Sequence, residues 1–384
     1  MALNEFGLRI RPINGFRKGS TMTEELSRTS ALASRHTALG SGLEDWNGMG
    51  TAWTYDADAN GEHDAVREGA GMFDMSPLKK VFVRGPDAAA TLDHLTTRDM
   101  SKIAAGSAAY LCVLTENGGV ADDAIVSNNG GDEWMIVHGS GDTMALLQAS
   151  TAGRDVQVEF TDDLHDLSVQ GPKSCDILNA HCDIDLTSLA YFQHSAAILF
   201  GHCCRLSRTG YSGERGYEIF ADASVIGDIW DNLIGEGVVP CSFTALDKVR
   251  IEAGFLFYGY DMTEDNTPWD VGLGFTISKN KGDFRGKDAV LASKGNQTTN
   301  NVCLDIDHAD MVAGGESLTL DGHEVGVINS PCFSHRLNKS LALAHITPEI
   351  SVGAVLNVSG GGIETTATVV QSPAYDPKKS RTHS

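Results

Sequence analysis

Two glycine-rich segments bend this chain back on itself, and each sets carboxylates just beyond the bend. The first reads Glu116-Asn117-Gly118-Gly119-Val120-Ala121-Asp122-Asp123. The second reads Arg208-Thr209-Gly210-Tyr211-Ser212-Gly213-Glu214-Arg215-Gly216-Tyr217-Glu218-Ile219. Asn117-Gly118 follows an apolar, strand-like run at 110–114 and precedes another at 124–126. That is a hairpin signal, because a tight hairpin turn requires positive φ. The chain must therefore hold antiparallel strands with acids at their turns, where a small molecule can reach them.

The pattern around these bends mixes helices with strands. Residues 80–84 alternate as a strand, Gly85-Pro86-Asp87 breaks it, and Asp87 is placed to cap a helix over 88–95. Val169-Gln170-Gly171-Pro172 repeats the strand and turn before a helix at 174–179, which suggests two similar α+β units. Further helices are predicted at 62–71, closed by glycine, and at 143–151, 225–235 and 243–254. Strands are predicted at 134–137, 196–200 and 204–207. Past about residue 300 the texture changes. Short β runs at 302–306, 317–320, 324–328, 341–346, 354–358 and 366–370 alternate with turn residues, the pattern of a small β-barrel or sandwich. Residues 1–30 read as an extension and 376–384 as a loose, charged tail.

A chain of 384 residues, 41% apolar and 21% charged, has room for two or three domains. No run approaches the roughly 18 apolar residues of a membrane span, and no secretory signal is read at the start, so a cytoplasmic protein is expected. A net charge of −22 opposes binding to nucleic-acid phosphates. The eight cysteines include no CxxC pair, which favours reduced thiols over a zinc ribbon. His202-Cys203-Cys204 is too compact to wrap an ion, HExxH is absent, and no metal is expected.

Adjacent strand residues face opposite ways, so only one of Asp122 and Asp123 can point into a pocket. Asp122 fits either a solvated hairpin acid or a pocket acid. Glu218 lies on the strand face opposite Tyr217 and Ile219. It is either an outward polar residue or a cavity-wall carboxylate able to accept two N–H donors from a flat heterocycle. The turn at Tyr211 lacks the Lys-Ser/Thr ending of a phosphate loop.

Several motifs, in order and spacing, resemble the glycine-cleavage T-protein (aminomethyltransferase) family and its folate-dependent demethylase relatives. They are Glu62-His63-x-Ala65-Val66-Arg67, Asn117-Gly118-Gly119 with Asp122-Asp123, Gln170-Gly171-Pro172, Gly210-Tyr211-Ser212-Gly213-Glu214, Arg250-Ile251-Glu252-Ala253-Gly254 and Ser330-Pro331. The resemblance implies an α+β fold of three domains in a ring around a folate site. Two interleaved folate-binding domains would cover 31–74 with 165–240 and 75–164 with 241–300, and a β domain would cover 301–384. It implies tetrahydrofolate as cofactor and Asp122 as the catalytic acid beside the folate nitrogens. Glu218 would hold the pterin edge, and Tyr110, Tyr211, His138 and Leu246 would line the same site.

Two positions depart from the aminomethyltransferase pattern. Leu246 stands where those proteins carry an arginine, and His138 where they carry asparagine. Losing a guanidinium removes a fixed five-donor cation. The departures favour a demethylase moving a methyl group from a small methylated compound (sulfonium, amine or methoxy) to tetrahydrofolate. A true aminomethyltransferase working on a lipoylated carrier protein is the second reading. A non-catalytic folate-binding accessory protein is the third, although the cysteine of such relatives is missing from the turn at 208–213.

Overall fold

The computed structural model describes residues 26–383. Three bodies carry the chain, two sheets with helices and one closed barrel. The six-stranded sheet takes its strands from Gly71–Asp74, Leu164–Gln170, His194–Leu199, His202–Ser207, Gly216–Asp222 and Val239–Pro240. The five-stranded sheet takes Lys79–Arg84, Ser107–Leu114, Val120–Gly130, Glu133–His138 and Gln157–Thr161. The fold is thus α+β, as expected, and the C-terminal body is a closed six-stranded barrel, which settles the choice between barrel and sandwich.

The two sheets are built alike. In each, a strand ends in a Gly-Pro turn with the glycine at high positive φ, 126° at Gly85 and 130° at Gly171. Each turn leads into a helix, Ala88–Leu95 or Ser174–Asn179. Each helix is followed by a 3₁₀ turn capped by an aspartate. Asp99 accepts from the backbone N–H of Ser101 at 3.0 Å, and Asp185 from that of Thr187 at 2.9 Å. The echo between residues 83–86 and 169–172 therefore extends through a whole supersecondary unit.

Asn117-Gly118 forms the expected turn, with Gly118 at φ 82°. The strand Val120–Gly130 returns along Ser107–Leu114 with Cys112 opposite Asp123 and Val113 opposite Asp122. Helix Ala59–Glu68 is capped by Asp58, whose side chain accepts from Asn60 N–H, and Gly69 closes it. Helix Phe243–Glu252 is capped by Ser242.

Apolar packing joins the three bodies. Met135 and Val137 of the five-stranded sheet bury against Phe220 of the six-stranded sheet. Leu114 and Val120 share a core with Ile251, Val290 and the barrel residues Cys303, Leu341 and Leu343. A buried ionic network adds directional contacts. Arg67 pairs with Glu252 (2.7 Å) and Glu214 (3.1 Å), and its guanidinium lies 3.9 Å from the ring centroid of Tyr375.

Two expectations change. Asp87 sits at the N-cap position, but its side chain makes no bond to its own helix; the carboxylate accepts from Asp155 N–H at 2.8 Å and ties helix to sheet edge. The tail is not loose over 376–383, because Arg381 pairs with Glu214 (2.7 Å) and donates to the Arg67 carbonyl (2.6 Å). Most of the expected extension over 1–30 lies outside the described residues. Its end is anchored, since Arg28 pairs with Asp162 and donates to the Pro77 carbonyl. Among the described residues no helix is long and apolar enough to cross a membrane.

Candidate active site

The acid pair at the first bend separates as strand alternation requires. Asp122 is fully buried. Its Oδ2 accepts from the Thr143 hydroxyl (2.7 Å) and meets His138 Nδ1 (2.9 Å), and its Oδ1 accepts from Asp123 N–H (3.0 Å). Thr143 begins helix Thr143–Ser150, and His138 ends strand Glu133–His138. Asp122 and His138 therefore form a closed interior pair, with no solvent exposure of either side chain.

Asp123 takes the opposite face and is half-buried. Cys112 stands across from it, so Tyr110, two residues away, is its diagonal neighbour on the same face. The Tyr110 hydroxyl donates to Asp123 Oδ2 at 2.9 Å. Burial, and then the adjacent Asp122 charge, push the Asp123 carboxyl up to about 7. Burial and the Asp123 charge likewise hold the Tyr110 phenol well above its ordinary range.

Aromatic side chains border this pair. Phe275, 63% exposed, stacks on Tyr110 with ring centroids 6.5 Å apart, and the Arg98 guanidinium lies 5.7 Å from the Phe275 ring. Tyr211 stacks on Phe255 at 5.5 Å and donates its hydroxyl to the Leu256 carbonyl. Burial raises the Tyr211 phenol well above its ordinary range. Leu246 is buried in an apolar cluster with Val66, Phe73, Phe243 and Val249, against which Tyr211 packs.

Glu218 occupies a separate polar group. Its strand runs beside Leu164–Gln170 and His202–Ser207, with Ser168 and Ser207 as its cross-strand partners. The Thr209 hydroxyl donates to Glu218 Oε2. Burial raises the Glu218 carboxyl, while Arg205 works against that rise. The second bend is fixed by Gln170, which donates to Ser168 Oγ and the Thr209 carbonyl and accepts from the Ser212 hydroxyl. Glycine is required at 216, where a Cβ would meet the Gln170 side chain at 2.1 Å.

The structure thus gathers Asp123, Tyr110 and Phe275, packs Tyr211 against the Leu246 cluster, and sets Glu218 with Thr209 and Arg205. Asp122, His138 and Leu246 lie behind these faces, in the interior. Sequence reasoning passed over Asp123 as a site residue, although the hairpin register carried the signal: counting back from Asn117-Gly118 pairs Cys112 with Asp123 and puts Tyr110 on its face. Asp166 was also passed over. It is buried beside Glu218 and Lys80 with neither carboxylate oxygen bonded, and burial holds its carboxyl well above the usual range.

The GCVT N-terminal domain family matches residues 32–281, and the glycine cleavage T-protein C-terminal barrel domain family matches residues 300–376. The chain is 42% identical over 367 residues to the heme-dependent oxidative N-demethylase gamma subunit of Ectopseudomonas mendocina (strain ymp), covering 92% of this chain and 97% of that one. It is 34% identical to an aminomethyltransferase of Herpetosiphon aurantiacus, covering 91% and 98%. The crystal structure of glycine cleavage system aminomethyltransferase T from Bartonella henselae superposes with a TM-score of 0.84 at 25% identity, covering 91% of this chain and 98% of that one. With both domain families matched in order and the closed barrel in place, this chain belongs to the glycine cleavage T-protein family.

Proposed function

We propose that this protein is a tetrahydrofolate-dependent one-carbon transferase acting on carbon released from a small N-methylated amine. Among sulfonium, amine and methoxy donors, the amine is favoured by the 42% identity to an N-demethylase subunit over nearly the full length of both chains. Oxidation of an N-methyl group removes two electrons and leaves the carbon at the formaldehyde level. In this reading, partner subunits pass those two electrons to a heme-dependent acceptor, water hydrolyses the resulting iminium to the free amine and formaldehyde, and this chain receives the formaldehyde.

The residues present suit a folate. Of two half-buried carboxylates, Asp123 is pushed up to about 7 and Glu218 is raised by burial, and Tyr110 and Phe275 offer ring surfaces beside Asp123. Tetrahydrofolate, when bound, supplies the nitrogens that take up formaldehyde-level carbon. Asp123 would accept the proton given up at those nitrogens and return it to the hydroxyl that leaves the formaldehyde carbon as water, and Tyr110 fixes the carboxylate through Oδ2. A base near 7 is matched to neutral pH, where half its population is ready to accept a proton. Asp122, held by His138 and Thr143, acts from behind by raising Asp123 and fixing its backbone. Glu218 accepts N–H donors from the pterin edge.

The observation that carries this reading is the Asp123–Tyr110 pair with its raised carboxyl. Its test is the rate of methylene-tetrahydrofolate formation from formaldehyde and tetrahydrofolate, measured above the uncatalysed condensation. Acceleration by the protein, lost in Asp123→Asn, is expected; no acceleration by the wild-type protein would overturn the proposal. Transfer from an aminomethyl-lipoyl carrier is the second reading, supported by the aminomethyltransferase relatives. The apolar burial of Leu246, where an arginine would otherwise stand, weighs against it.

A further inference from the structure

We propose that His63, Asp64 and His335 form a binding site for a divalent transition-metal ion of the zinc class, clamping helix Ala59–Glu68 to the barrel. The three residues are brought together across 271 positions of sequence, so no ligand spacing announces them. One ligand atom from each lies within 4.8 Å of the others. Asp64 Oδ1 is 3.0 Å from His335 Nε2 and 4.0 Å from His63 Nδ1. Ligand atoms around tetrahedral zinc, with bonds of about 2.0–2.1 Å, stand roughly 3.4 Å apart. Small side-chain shifts bring the observed separations into that range.

The chemistry of His63 argues for a ligand. Its ring is fully buried, and Nδ1 has no hydrogen-bond partner. Its Nε2 meets Glu252 Oε2 at 2.9 Å. Both Glu252 oxygens act as acceptors, Oε2 from Arg67 Nε and Nη2 and Oε1 from the Ser334 hydroxyl, so the His63 contact is also a donation to Oε2. The ring proton therefore sits on Nε2, and Nδ1 presents a lone pair towards Asp64. A carboxylate behind a histidine that offers its other nitrogen forward is the usual support of a metal-bound imidazole. Two imidazoles and one carboxylate suit zinc, cobalt or nickel over calcium or magnesium.

The other two ligands are reachable. Asp64 is 41% and His335 24% exposed at the side chain. Arg336 occupies Asp64 Oδ1 at 2.6 Å but also holds Glu68 at 2.7 Å, so an incoming cation can displace it without leaving the guanidinium unpaired. The ion would close the interface where the barrel strand His323–Ser334 ends against the helix.

Cobalt(II) titration of the purified protein, followed by visible absorption, tests the site. One equivalent should give d–d bands without a thiolate charge-transfer band. Zinc(II) should erase those bands and raise the melting temperature. His335→Gln and Asp64→Asn, both at accessible side chains, should lose the bands and the zinc-dependent rise while keeping the apo melting temperature. No stoichiometric cobalt binding by the wild-type protein, or the same spectrum in both variants, would overturn the proposal.

Discussion

Asp123 and Asp122 are chemically identical neighbours to which the proposed function gives different tasks, because strand geometry puts them on opposite faces. Asp123→Asn removes the base. Turnover should fall about 10²- to 10⁴-fold, the usual share of general acid–base catalysis. In the wild-type protein kcat/KM should rise with pH through about 7, because the acting form is the deprotonated carboxylate. That inflection should vanish in the variant; a wild-type profile flat across this range would contradict the assignment. Asp122→Asn should act on stability as well. Its carboxylate accepts three donors in the interior, and leaving one unmet costs about 1–3 kcal/mol. A thermal melt checks this, and an unchanged midpoint would count against it. Glu218→Ala should weaken tetrahydrofolate binding by about 1.5–3 kcal/mol, the range for a hydrogen bond to a charged group. Calorimetric titration showing equal affinity would move Glu218 off the pterin edge.

At the scale of elements, what the sequence made legible was what local chemistry controls. The Asn117-Gly118 hairpin, helix Ser174–Asn179 and strand Ser317–Leu320 fall where turn residues and periodicity put them. Asp87 and the C-terminal tail were misread because their partners, Asp155 and Glu214, lie far along the chain. The choice between Asp122 and Asp123 depended on register, which the turn supplied but the motif alone did not. Glu62, His63, Arg67 and Glu252 stood in the family motifs without a visible task. In the structure Glu62 accepts from Ser242 N–H and Oγ at the start of helix Phe243–Glu252, and Arg67 and His63 hold Glu252 at its end. Arg67→Leu leaves Glu252 buried without its arginine, while Glu214 keeps Arg381, and should cost about 3–5 kcal/mol in chemical denaturation. Glu252 is held down to about 2, below its ordinary 4.5. Its contribution is therefore complete above about pH 4.5 and is lost as pH falls towards 2. Acid unfolding should lose that component in the Arg67 variant; identical acid and denaturant midpoints would argue that the network is neutral.

For the whole molecule, three bodies share cores and ion pairs, and the candidate site residues come from both sheets and from the segment after helix Phe243–Glu252. Asp123 and Tyr110 belong to the five-stranded sheet and Glu218 to the six-stranded one, while Phe275 follows the long helix. Shared cores of this kind hold carboxylates and rings in fixed relation, and holding reacting groups in place is where positioning catalysis originates. In the proposed function, partner subunits supply the carbon. The decisive measurement supplies tetrahydrofolate and a panel of donors to the purified protein and reads the folate product by mass spectrometry. The panel is a ¹³C-methyl-labelled N-methylated amine with its oxidising partner subunits, dimethylsulfoniopropionate, and an aminomethyl-lipoyl carrier protein. Labelled methylene-tetrahydrofolate from the amine, and none from the other two, is the predicted result. Methyl-tetrahydrofolate from the sulfonium, or methylene-tetrahydrofolate from the carrier alone, would contradict it.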